Sequence, residues 1–219
     1  APLPYGIYVF TEDSIVEIHV SPTGEEGLRT SVIYNIEVVG NLALICTIVG
    51  LDILDFNGNV HNRDNYRWYA LAESNGLLSE VVNDVAIDNS GIIWIATPSG
   101  LNYFNSNLLY STGTIQMDSV IFPFGFGPEV SAIEVDGLGN KWIGTPGGLL
   151  KLAPDNLTWT TYTIDNSLLV SNQIISLEMV RSTGILWIGT GSGISRLDTG
   201  LEQPSEDLSD IGAYPNPAV

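Results

Sequence analysis

Trp142-Ile143-Gly144-Thr145-Pro146-Gly147-Gly148-Leu149 is one of four versions of a single eight-residue phrase. The others are Leu44-Ile45-Cys46-Thr47-Ile48-Val49-Gly50-Leu51, Trp94-Ile95-Ala96-Thr97-Pro98-Ser99-Gly100-Leu101 and Trp187-Ile188-Gly189-Thr190-Gly191-Ser192-Gly193-Ile194. The steps between copies are 50, 48 and 45 residues. Strand-like content at that period predicts a radial β architecture of four-stranded blades. Upstream of each phrase lies an alternating segment: 33–38, Val82–Ile87, Val130–Val135 and Ile174–Met179. Period-two apolar spacing before a glycine-bearing turn marks a hairpin, with turns at 88–91, 136–139 and 182–184.

Gly50, Gly100, Gly148 and Gly193 open a third strand at a position expected to reject a Cβ. A fourth strand carries its own tryptophan in Asp64-Asn65-Tyr66-Arg67-Trp68 and Asp155-Asn156-Leu157-Thr158-Trp159. Gly6–Phe10 and Ile15–Val20 resemble the third and fourth strands of an earlier blade, and the last blade runs out after Asp198. The expected fold is all-β: a β-propeller fragment of about four to five blades, incomplete at both ends. Its expected divisions are a partial blade at 1–31, blades at 32–73, 74–121, 122–165 and 166–198, an acidic linker at 199–212, and a separate terminal segment at 213–219. Trp94, Trp142 and Trp187 are expected to fill the spaces between blades.

Twenty-five acidic residues against seven basic ones give a net charge of −18. Such a surface repels phosphate backbones and anionic headgroups, so nucleic acid is not an expected partner. The most apolar stretch, Val38–Leu51, has 14 uncharged residues and a Gly40-Asn41 turn, too short for a membrane span of about 20 residues. No membrane insertion is expected. Cys46 takes a slot filled elsewhere by Ala96, Gly144 and Gly189, so it reads as a packing thiol.

The pattern from Ile133-Glu134-Val135-Asp136-Gly137-Leu138-Gly139-Asn140-Lys141-Trp142 through Gly148-Leu149 resembles the two-component regulator propeller repeat. The resemblance covers about residues 1–198 and is loose in the first copy, where Leu44 replaces the tryptophan. It implies an extracytoplasmic module, either the sensor of a hybrid two-component receptor or part of a secreted protein. Residues 202–210 are polar, acidic and proline-bearing, a linker composition. Tyr214-Pro215-Asn216-Pro217 after it is similar to the opening of the C-terminal sorting domain of type IX secretion. That implies export through the type IX machinery to the cell surface or medium.

Candidate chemistry is sparse. Glu37, Glu134 and Glu178 share one innermost-strand position, with Ala86 in the second copy. Lining an axial channel, they would raise one another's pKa or recruit a cation. The other reading, favoured because the residue repeats, is a carboxylate held between blades by hydrogen-bond donors. Asp88 and Asp136 are expected to cap their turns. Asp55–Asn59 lacks the later glutamate of a calcium loop, position twelve being Tyr66. Neither a metal nor a cofactor is expected, since phosphate-loop, dinucleotide, zinc and haem motifs are all missing from the sequence.

The loops entering the inner strands vary between blades and make the expected binding face. Phe122-Pro123-Phe124-Gly125-Phe126 places three rings in one connector, suited either to stacking on a sugar or to folding over the blade edge. Glu80 and Glu129 flank this face. The expected function is non-catalytic recognition of a glycan or protein ligand. A periplasmic ligand sensor is the alternative. A third reading is a polysaccharide-degrading enzyme with Glu80 and Glu129 at a channel mouth.

Overall fold

A computed structural model describes residues 6–10, 15–19, 27–110 and 115–200. The tail from 201, with Tyr214–Pro217 and most of the expected linker, lies outside these residues. Seventeen strands run as β1 Gly6–Phe10, β2 Ile15–His19, β3 Ile33–Val39, β4 Leu42–Thr47, β5 Gly50–Asp55 and β6 Arg67–Leu71. They continue as β7 Asp84–Ile87, β8 Ile92–Thr97, β9 Gly100–Asn105, β10 Asp118–Ser119, β11 Ala132–Val135 and β12 Lys141–Thr145. The last are β13 Gly148–Leu152, β14 Trp159–Tyr162, β15 Ile174–Val180, β16 Ile185–Thr190 and β17 Gly193–Asp198.

All pairings are antiparallel and consecutive, giving blade I (β3–β6), blade II (β7–β10), blade III (β11–β14) and a three-stranded blade IV (β15–β17). β1 and β2 pair with each other. The chain is therefore a β-propeller, as the repeats predict, with three four-stranded sheets between a two-stranded and a three-stranded one. The fourth strands begin later than their sequence suggests. Arg63–Asn65 forms a 3-10 turn, and Asp155 caps a turn by accepting bonds from Leu157 N, Thr158 N and Thr158 Oγ1, so pairing starts at Arg67 and Trp159.

Each blade has two apolar faces because strand side chains alternate. In blade III the cross-strand row Glu134, Trp142, Lys151 lies on one face and Ile133, Ile143, Leu150 on the other. Ile143 and Leu150 pack against Trp94 of blade II, while Trp142 packs against Leu177 and Ile188 of blade IV. Leu44 and Cys46 do the same for blade I against Val85 and Ile95. Trp94 is 0% and Trp142 3% exposed, as expected for inter-blade filling. Trp187 departs from that expectation at 43% exposed. It occupies the same row of blade IV, on the face that no blade covers among the described residues.

The phrase itself is a turn. In every copy the threonine hydroxyl donates to the carbonyl of the glycine three residues on, at 2.8 Å. That geometry holds the glycine at positive φ, between 114° and 148°. At Gly50 a Cβ would lie 1.9 Å from Leu71 O, and at Gly148 2.5 Å from Tyr162 O, because the fourth strand pairs with the residue that follows each glycine.

Candidate functional site

The innermost strands neighbour one another in the order β3, β7, β11, β15 and line a solvent-open axial pocket of about 340 Å3. Glu37, Glu134 and Glu178 all line it, as their shared register opposite Leu44, Trp142 and Trp187 requires. Asp84 joins them from β7, two positions earlier than the repeat would place a carboxylate.

These carboxylates differ in what they hold. Glu134 accepts the Met179 N–H of blade IV at 3.2 Å. Asp84 accepts Ile133 N of blade III and Val85 N of its own strand, each at 2.8 Å, and the side-chain amide of Asn35 in blade I. Two of the axial acids thus accept main-chain N–H groups of the next blade. Glu37 instead pairs with Arg181, at 3.4 Å, linking blade I to the turn of blade IV. Burial pushes Glu134 up to about 7, reinforced by the charges of Asp84, Glu178 and Glu37 and opposed by the Met179 bond. Burial likewise pushes Asp84 up to about 6, against the bonds from Ile133, Asn35 and Val85. Glu37 is raised by burial despite Arg181. The cavity can hold protons near neutrality and offers one guanidinium among four carboxylates.

Further polar side chains secure the blades at the strand entrances. Asn83 donates to Val130 O at 2.7 Å, and Ser131 donates to Ile174 O at 2.8 Å. Asn83 and Ser131 hold equivalent places, and that common position was their signal in the sequence. Asp88 and Asp136 cap their turns as expected. Their second oxygens also accept the indole N–H of Trp94 and Trp142, both at 3.0 Å. A spacing of six residues between acid and indole encodes this link. Arg181 takes that place before Trp187. Lys141 is buried with its ammonium 4.9 Å from the Trp94 ring, and Lys151 lies 5.2 Å from Trp142. Cys46 is fully buried, and burial drives its pKa well up.

On the loop face the three rings of the 122–126 connector separate. Phe122 packs against Trp159, with centroids 5.8 Å apart, and Phe126 lies on the Gly147-Gly148 turn. Phe124 between them is fully exposed, with Ile121 beside it in sequence also exposed. Glu129 is exposed, and Glu80 accepts Glu73 N at 3.3 Å. Neither glutamate lines the axial cavity. Asp55 accepts Asn57 N at 2.8 Å, an Asx turn. Among the described residues no helix is long and apolar enough to cross a membrane.

Fold and site together define a repeat β-propeller with a polar axis and an aromatic loop face. No family model matches the chain, and no match to it was found among curated proteins. Among solved structures it is similar to PorZ of Porphyromonas gingivalis, an essential surface component of the type-IX secretion system. The identity is 21% and the TM-score 0.72, over 98% of this chain and 32% of that one. It is also similar to the extracellular domain of a hybrid two-component system from B. thetaiotaomicron, at 22% identity and TM-score 0.64, over 91% and 26% of the two chains. Virginiamycin B lyase of Staphylococcus aureus is similar at 11% identity and TM-score 0.60, over 90% and 61%. The chain spans about a third of PorZ and about a quarter of the two-component domain. At these identities the likeness is one of fold, and the fold serves a surface component, a two-component extracellular domain and a lyase alike.

Proposed function

We propose that this chain is a non-catalytic recognition module of an exported or surface-attached bacterial protein, binding a glycan or protein through its loop face. The observation that carries the reading is Phe124, a fully exposed ring whose two aromatic neighbours in the connector are packed down on the blade. Anchored flanks present an aromatic surface at little entropic cost, the arrangement that stacking on a sugar ring uses. The use of Asp84 and Glu134 as blade-to-blade acceptors supports a structural axis rather than a catalytic one. The likeness to PorZ and the Tyr214–Pro217 string support export by the type IX route, with 199–212 as linker and 213–219 as the start of a sorting domain. The likeness to a two-component extracellular domain supports the second reading, a periplasmic sensor. A membrane helix and kinase encoded beyond residue 219 would favour the sensor, and a sorting β-sandwich the exported protein.

Affinity electrophoresis through gels containing neutral β-glucan or xylan tests the binding face. Retardation of the native protein, weakened about tenfold in Phe124→Ala with the fold intact, is the expected result. Equal retardation of both proteins would remove Phe124 from the site.

A further inference from the structure

The chain's seven lysines and arginines all lie among the described residues, and strand direction sorts them by face. Each phrase turn joins the second strand of a blade to its third and so marks the loop face, where Val82 N and Val130 N donate to Thr47 O and Thr97 O. Six of the seven cations sit toward the opposite end. Arg67 pairs with Asp55 at the far end of β5, Arg63 lies in the turn before it, and Lys141 opens β12 opposite Val135. Lys151 and Arg196 lie one and two residues short of the far ends of β13 and β17, and Arg181 follows β15 there. Only Arg29 stands on the loop face, beside the Gly50 turn, and it is already paired. Its backbone N–H and Nε donate to the two oxygens of Asp52, and its Nη2 donates to Leu71 O at 3.2 Å. Acids are distributed the other way. Glu73 and Glu80 lie in the loop entering blade II, Glu129 lies in the connector that carries Phe124, and Asp165 follows β14. Glu73, Glu129 and Asp165 are exposed. The Gly148 turn brings the last two loops together, since a Cβ there would meet Thr163 at 3.3 Å and Phe126 at 3.4 Å. Residues 120–131 and 163–173 hold no lysine or arginine.

We propose that the loop face selects an uncharged glycan chain and turns away chains that bear carboxylates or sulfates, with Glu129, five residues from Phe124, as the charge that enforces the choice. An acidic sugar stacked on Phe124 would bring its carboxylate toward Glu129 and Asp165 with no free cation on that face to pair with it. Like-charge repulsion of this kind discriminates between partners more than it adds affinity. A neutral sugar meets no such penalty, because stacking on a ring needs no charge. Charges on an exposed face are screened beyond about 8–10 Å at ordinary salt, so the selection is sharpest at low ionic strength. The inference rests on the loop-face reading and adds to it the class of chain that is bound.

Paired polysaccharides that share a backbone and differ in charge test it: hydroxyethyl against carboxymethyl cellulose, and hydroxyethyl against carboxymethyl starch. Each is titrated calorimetrically into the full chain at about 20 mM and about 500 mM salt. At low salt the native protein should bind a neutral member about tenfold more tightly than its carboxymethyl counterpart, and high salt should narrow that ratio. Glu129→Lys should narrow the low-salt ratio about threefold. Asp64→Lys, an equal change of charge at an exposed position of the opposite face, should leave the ratio unchanged. Carboxymethyl chains bound as tightly as neutral ones, with the same loss in Phe124→Ala, would overturn the charge selection and leave the loop-face reading standing. Equal effects of Glu129→Lys and Asp64→Lys would overturn it too, by reducing the selection to net charge. No binding to any neutral member would overturn the loop-face reading, and this inference with it.

Discussion

Asp136 concentrates more hydrogen bonding than any single position of the repeat phrase. Almost wholly buried, it accepts bonds from Leu138 N, Asn140 N, Asn140 Nδ2 and Trp142 Nε1, so one carboxylate closes a turn and fixes an inter-blade indole. Asp136→Ala should cost about 3 kcal/mol in urea unfolding, because it orphans buried donors. A cost near zero would show the indole held by packing alone. The turn glycines make a second test. Gly50→Ala places a Cβ against Leu71 O at 1.9 Å, whereas at Gly193 the nearest atom is 3.7 Å away. Both changes strain a positive φ, so Gly50→Ala should destabilise well beyond the roughly 1 kcal/mol expected of Gly193→Ala. Thermal unfolding of the two variants ranks them directly.

At the level of strands and blades, the repeated phrase made the first three strands of each blade readable, because the copies checked one another. The period-two rows in β11 and β12 announced which side chains share a face. What escaped was set by neighbours rather than by sequence. Trp187 opens the same eight-residue phrase as Trp142, and its half exposure depends on whether a blade lies against it. Asp64 to Tyr66 match Asp155 to Leu157 and so read as the start of a fourth strand, yet a 3-10 turn at Arg63–Asn65 precedes pairing, which begins at Arg67. The acid-to-indole bond spans a hairpin and shows only as a spacing of six. Packing gives this level its prediction: Trp142→Ala should cost about 3–5 kcal/mol by leaving a cavity between blades III and IV. Trp187→Ala should cost about 1 kcal/mol or less, as half of that ring is already in water. Equal losses would contradict the inter-blade assignment.

Across the whole molecule, the axis is where blades meet and where charge accumulates. Glu134 has a folded pKa of about 7 against an ordinary 4.5, raised chiefly by burial. The folded chain therefore keeps that proton longer than the unfolded one does. Its contribution to stability is full below pH 4.5 and is lost as the pH rises through about 7, on the order of 3 kcal/mol. Asp84 acts in the same direction, up to about 6. Urea midpoints measured from pH 5 to 8 should fall less steeply for Glu134→Gln, whose amide oxygen still accepts Met179 N. Parallel lines for variant and native protein would exclude Glu134 as the source. The division of labour between a structural axis and a recognising loop face is tested most directly by titrating soluble polysaccharide calorimetrically into the native protein, Phe124→Ala and Glu134→Gln. Binding retained by Glu134→Gln, weakened in Phe124→Ala and accompanied by no heat of turnover is the predicted outcome. Turnover heat that disappears in Glu134→Gln would place catalysis in the axial cavity and contradict the account.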